Sequence, residues 1–215
     1  MEVAILIFDR LTALDAVGPY EVLRSMPGAT VKFVAKEAGP KRTDAGSLAL
    51  LADYSLEEVS SPDIIVVPGG PGQMALMDDQ PVLNWIRQAH EHSRWTTSVC
   101  TGSLILAAAG LLKGLRATTH WLAYDMLRSL GAEVVSERVV IEGRIITAAG
   151  VSAGIDMALT LVAREAGEAV AQAIQLGIEY DPQPPFNAGS PAKAPAEVVE
   201  RLRSRSRFIM QGQAL

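Results

Sequence analysis

The chain of 215 residues has one cysteine, and its setting is the strongest chemical signal in the sequence. Cys100 directly follows Trp95-Thr96-Thr97-Ser98-Val99 and directly precedes Thr101-Gly102-Ser103-Leu104-Ile105-Leu106-Ala107. A β-branched run that passes through small residues into an apolar helical segment is a strand-to-helix elbow. Such an elbow lifts its central side chain to the carboxyl edge of a sheet, where open α/β folds bind ligands. The amides and dipole of the following helix favour a thiolate there, so the chemistry implied is nucleophilic. A lone cysteine is more often a small buried hydrophobe, and it is the junction that favours function.

Three further clusters could work with that sulfur. Val66-Val67-Pro68-Gly69-Gly70-Pro71-Gly72 lets the backbone approach a reacting centre closely and turn an N–H toward developing negative charge. An ordinary glycine turn is the plainer reading. Asp15, in Ala13-Leu14-Asp15-Ala16-Val17-Gly18-Pro19, suits a helix N-cap and equally a proton-transferring carboxyl at the same edge, with Glu21 as the competing acid. In Ala117-Thr118-Thr119-His120-Trp121, His120 either lines the pocket or caps the helix that follows. His90 and His92 belong to the polar end of a helix and are expected to be solvated.

To bring these residues together the chain needs a parallel sheet. Apolar runs at Val3–Phe8, Val31–Ala35, Ile64–Val67, Thr96–Val99 and Ile145–Ala148, bounded by Gly or Pro, suit strands buried on both faces. Helical segments are expected at Gly18–Ser25, Pro81–His92, Thr101–Ala109, Trp121–Leu130 and Ala153–Ala166, with Pro81 in a first turn. Alternation of this kind implies an α/β fold, doubly wound, with a flavodoxin-like, mostly parallel sheet and helices on both faces. Glu133–Val140 and Arg144–Thr147 read as a local antiparallel hairpin. Residues 1–180 form the α/β domain in this reading. Residues 181–215 add a Pro-rich arm, Asp181–Pro191, and an end helix over Ala196–Met210, packed on the same domain or on a partner. Arg201, Arg203, Arg205 and Arg207 spread around that helix.

Composition narrows the function. Hydrophobic residues are 49% of the chain and charged residues 20%, a globular balance. The net charge of -5 gives no basic face for nucleic acid. One cysteine and three histidines leave no disulfide and no His- or Cys-rich metal cage. Leu104–Leu112, nine apolar-rich residues, is about half the ~20 that a membrane span requires. The N-terminus has neither a basic region nor a cleavage site, so the expectation is a cytoplasmic protein without membrane contact.

The Pro68-Gly69-Gly70 loop, Ser98-Val99-Cys100-Thr101-Gly102-Ser103 and Ala117-Thr118-Thr119-His120-Trp121, in this order, resemble the ThiJ/PfpI superfamily, with its glutamine-amidotransferase-like fold. Leu14-Asp15 with Gly18-Pro19, Ala153-Gly154-Ile155-Asp156 and Pro185-Phe186-Asn187-Ala188-Gly189-Ser190-Pro191 extend the resemblance to about residue 200 and make it most similar to the isonitrile hydratase branch. The resemblance implies that Cys100 is the nucleophile and Asp15 its proton-transfer partner. It implies that Thr101 contributes its amide and hydroxyl beside the sulfur, and Gly70 a backbone amide. The implied reaction is hydration of an isonitrile to an N-substituted formamide through a covalent thioimidate, with no metal or organic cofactor, in a homodimer. Peptidase-like members carry His where Thr101 stands, and many glyoxalase- and deglycase-like members carry Glu where Asp15 stands. Glyoxalase or deglycase action on α-oxoaldehydes is the enzymatic alternative, and a non-catalytic redox or ligand sensor the other. Regulator members append a DNA-binding helical domain, for which these 215 residues leave no room.

Overall fold

The computed structural model describes residues 1–206. The elements run β1 (Glu2–Leu6), α1 (Ala13–Leu23), β2 (Thr30–Ala35), β3 (Gly39–Arg42), β4 (Ala49–Ala52), β5 (Tyr54–Ser55) and β6 (Ile64–Val67). Then follow α2 (Gln73–Leu76), α3 (Gln80–His92), β7 (Trp95–Val99), α4 (Gly102–Ala108) and β8 (Arg116–Ala117). A 3₁₀ turn (Trp121–Ala123) leads into α5 (Tyr124–Ser129), β9 (Glu133–Val134), β10 (Val139–Glu142), β11 (Ile145–Ala148), α6 (Ala153–Ala166), α7 (Glu168–Gly177) and α8 (Ala196–Ser204).

Seven strands form one sheet in the order β10-β11-β7-β6-β1-β2-β5. All neighbours pair in parallel except β10 with β11. The central strands are apolar throughout because both faces are covered: β6 is buried along its whole length, as is β1 beyond Glu2. From β1 the chain steps to β2 on one side and later to β6 on the other. Right-handed crossovers therefore place α1 on one face and α3 on the opposite one. The reversal leaves a crevice at the carboxyl ends of β1 and β6, the topological switch point where such sheets bind ligands. Residues 12–15, 68–70 and 100 all follow strands that end at this edge.

Several boundaries differ from expectation. Helix α1 begins at Ala13, five residues before Gly18, so Asp15 lies inside its first turn and Thr12 occupies the N-cap. The segment at Trp121 opens as a 3₁₀ turn before the α-helix starts at Tyr124. Glu133–Val134 leaves the hairpin and pairs in parallel with Arg116–Ala117, so only Val139–Glu142 turns back on Ile145–Ala148. An unforeseen hairpin, β3 with β4, stands apart from the main sheet. Residues 181–195 contain no helix or strand and are largely exposed. The end helix runs from Ala196 to Ser204, and the expected continuation to Met210, with Arg207, lies outside the described residues. No described helix is long and apolar enough to cross a membrane.

Candidate active site

Cys100 adopts φ +57°, the left-handed region that L-residues enter rarely. The surroundings hold it there. Its N–H is shared between the carbonyls of Ala148 and Ala149 at 3.1 and 2.9 Å, and its own carbonyl accepts from the hydroxyls of Thr119 and Ser103 at 2.9 and 3.2 Å. Two close approaches make the turn glycine-dependent. A Cβ on Gly102 would fall 1.9 Å from the Val67 carbonyl oxygen, and one on Gly69 would fall 2.5 Å from the Thr101 amide nitrogen. The elbow and the Pro68-Gly69-Gly70 loop are thus pressed together.

Asp15 is fully buried beside the elbow. Its Oδ2 accepts the Gly69 N–H at 2.9 Å, and the carboxyl shares a hydrogen bond with the Cys100 thiol. Oδ1 has no N–H or O–H donor. Burial pushes the Asp15 pKa from 3.8 up to about 7, against the lowering effect of the Gly69 amide and the Cys100 thiol. The sulfur receives the amides of Thr101 and Val151, which favour its charged form, but burial and the adjacent Asp15 carboxylate outweigh them and push the thiol up. The elbow amides favour the thiolate as expected, but they do not prevail over burial and the neighbouring carboxylate. Two buried acids in contact cannot both be charged, so they titrate as a pair that retains one proton above neutral pH.

Thr101 and Gly70 also meet here. The Gly70 N–H donates to Thr101 Oγ1 at 3.0 Å, so in this state that amide fixes the threonine hydroxyl rather than standing open. All four residues implied by the resemblance, Cys100, Asp15, Thr101 and Gly70, converge at this edge. Glu21 does not: it pairs with Arg24 on the surface. Sequence reasoning missed Val151, whose amide reaches the sulfur at φ +34°, a conformation in which pattern reading expects glycine and not a β-branched residue. It also did not foresee that the Gly69 N–H donates to Asp15.

The histidines take unlike roles. His120 Nδ1 accepts the Leu122 N–H at 3.3 Å, capping the 3₁₀ turn, and burial holds the ring below its usual pKa. A neutral ring that accepts at Nδ1 carries its proton on Nε2. The ring covers Gly150, where a Cβ would sit 2.8 Å from His120 Cδ2. His90 is half-buried instead of solvated, with Nδ1 2.8 Å from Thr96 Oγ1, and burial followed by the charge of Arg144 lowers its pKa. His92 is exposed as expected. Among the described residues no group of three His, Cys, Asp or Glu could hold a metal ion. A cavity of about 760 Å³ opens on the far side of the glycine loop, lined by Phe8, Arg10, Met74, Leu122 and Leu202 among others, and neither Cys100 nor Asp15 lines it.

Residues 1–164 match the model of the DJ-1/PfpI family. The chain belongs to the DJ-1/PfpI family. It is 46% identical over 206 residues to an isonitrile hydratase of Pseudomonas putida, covering 96% of this chain and 90% of that protein. A glutathione-independent glyoxalase of Caenorhabditis elegans is more distant, 26% identical over 63% of this chain and 73% of its own length. Among solved structures, a ThiJ/PfpI family protein from Pseudomonas syringae superposes with a TM-score of 0.94 at 39% identity, covering 99% of this chain and 89% of that one.

Proposed function

We propose that this protein hydrates isonitriles to N-substituted formamides, with Cys100 as nucleophile and Asp15 as the proton carrier. The observation that carries the reading is the burial of Asp15 against Cys100 at the strand–helix elbow, where the carboxyl also accepts the Gly69 N–H. The similarity to an isonitrile hydratase over nearly the whole chain supports it.

The terminal carbon of R–N≡C is both a weak base and, once protonated, an electrophile. Asp15 passes the shared proton to that carbon as the sulfur attacks it, so a C–H and a C–S bond form and the adduct is the thioimidate R–N=CH–S–Cys100. Asp15, now a carboxylate, takes a proton from the water that adds to the same carbon and passes it to the nitrogen. Collapse of the resulting R–NH–CH(OH)–S–Cys100 releases R–NH–CHO and returns the proton to the pair. The balance is one isonitrile plus one water to one formamide. Covalent catalysis splits the addition into two easier steps, and the general acid–base part is worth about 10²–10⁴-fold. Every group in the scheme is a side chain, a backbone amide or water.

The residue after the nucleophile, Thr101, bonds to Gly70 and supplies no base, which counts against peptide hydrolysis. The test is a substrate comparison with purified protein: p-nitrophenyl isocyanide beside methylglyoxal, each product quantified. Formamide formation without lactate formation supports the proposal, and the reverse pattern assigns the site to α-oxoaldehydes. Oxidation of Cys100 by peroxide with turnover of neither would make it a sensor.

The active form proposed is a homodimer. Leu48 and Leu51 of the β3–β4 hairpin are 48% and 56% exposed, and Leu14 at the start of α1 is 42% exposed. The hairpin is tied to the chain entering α1 by the Leu11–Thr43 bridge and by the Thr12 hydroxyl, which donates to Asp44 Oδ2 at 2.9 Å. This apolar surface is suited to a second copy.

A further inference from the structure

We propose that Arg138, acting with Asp156 and Tyr180, is a positioning residue that holds the Val151 amide on the Cys100 sulfur. The inference rests on the reading of Cys100 as the nucleophile and adds to it a set of residues outside the elbow.

The problem these residues solve is local strain. Val151 is β-branched, yet it sits at φ +34° in the turn between β11 and α6. A non-glycine residue in that region is strained and persists only where its neighbours over-determine it. Arg138 grips the turn on both sides of Val151. Its carbonyl accepts the Ala149 N–H at 2.9 Å, two residues before the strained position. Its guanidinium reaches the residues after it: Nη2 donates to Ser152 Oγ at 3.3 Å, and Nε donates to Asp156 Oδ2 at 2.8 Å. Nη2 also approaches the same carboxylate oxygen at 2.6 Å. Tyr180, three residues past the end of α7, donates its hydroxyl to Asp156 Oδ2 at 3.0 Å and closes the cluster.

One residue thus ties β10, the 149–152 turn and the first turn of α6 together. The same turn is joined to the elbow through the Cys100 N–H, which is held by the carbonyls of Ala148 and Ala149. A shift of the turn therefore moves the Val151 amide, a backbone donor that reaches the sulfur from outside the elbow. The Arg138 and Asp156 side chains are 50% and 32% exposed, and a pair so exposed contributes little to stability. Its effect on the sulfur, by contrast, is exerted through geometry in a buried site. Loss of reactivity without comparable loss of stability is the signature of positioning.

The experiment uses the full chain and the variants Arg138→Leu, Arg138→Lys and Tyr180→Phe, with two readouts. The first is the rate of Cys100 alkylation by iodoacetamide at fixed pH, and the second is kcat and KM for p-nitrophenyl isocyanide. Arg138→Leu is expected to slow both alkylation and kcat about three- to tenfold, as weakening of one amide hydrogen bond to the sulfur would, with KM within twofold and little change in thermal midpoint. Arg138→Lys, which keeps the charge toward Asp156, is expected to recover part of both rates, and Tyr180→Phe to show a smaller loss. Wild-type alkylation and kcat in Arg138→Leu, or a loss that only follows unfolding, would overturn the proposal. If the wild-type protein does not turn over the isocyanide, the hydratase reading fails on its own, and the alkylation ratios still decide the role of Arg138.

Discussion

At the residue scale, the proposed chemistry depends on the proton shared by Cys100 and Asp15. Asp15 holds its proton up to about pH 7 in the folded state, whereas an unfolded carboxyl at 3.8 has lost it. Between those values folding takes up a proton, so stability falls as pH rises through that window and the penalty is complete above it. At about 1.4 kcal/mol per pH unit, the cost of the ionised buried carboxyl is on the order of 4 kcal/mol. Asp15→Asn is therefore expected to raise the thermal midpoint at pH 8 and to change it little at pH 4, measured by calorimetry. The same variant is expected to lose turnover by about 10²–10⁴-fold, since an amide cannot carry the proton. In the wild type, kcat/KM should climb with pH through about 7 and then level off, because the reactive form of the pair has one proton. An acid limb that survives in Asp15→Asn would remove that carboxyl from the titration.

The elements explain why the pair exists at all. The elbow depends on β6 and β7 lying side by side with their following loops in contact, and Gly102 has no room for a methyl group against the Val67 carbonyl. Gly102→Ala is expected to destabilise the fold by about 1–3 kcal/mol as the overpacked turn shifts, and to lower Cys100 reactivity at temperatures where the protein remains folded. Denaturant titration and thiol labelling measure the two separately. Much of this level was legible in the residues. Ile64–Val67 and Thr96–Val99 read as buried strands because apolar runs of that length bounded by Gly or Pro suit little else, and Cys100 was placed at the elbow by the small residues after it. The β3–β4 hairpin was not legible because Gly39–Arg42 carries a proline and two charges and lacks an apolar face. The start of α1 was misplaced because Pro19 and Gly18 read as helix-opening residues, when both lie well inside the helix. Val151 was invisible for a different reason: tertiary hydrogen bonds, not residue type, hold it at positive φ.

For the whole molecule, the arrangement is a doubly wound sheet whose switch-point crevice gathers residues separated by more than a hundred positions in the chain, from Asp15 to Val151. The β3–β4 hairpin, which carries the exposed Leu48 and Leu51, is hydrogen-bonded to the chain entering α1. Sedimentation of the purified chain at micromolar concentration should show a species of about twice 22.9 kDa, and Leu48→Glu with Leu51→Glu should yield the single-chain mass. A wild-type monomer would rule out the homodimer. The central claim is that the Cys100 sulfur performs the hydration, and the most direct measurement is the rate of formamide production from p-nitrophenyl isocyanide by the wild type and by Cys100→Ala. The wild type should turn over and the variant should give no rate above the uncatalysed background, with its fold unchanged by circular dichroism. Undiminished formamide production by Cys100→Ala would contradict it.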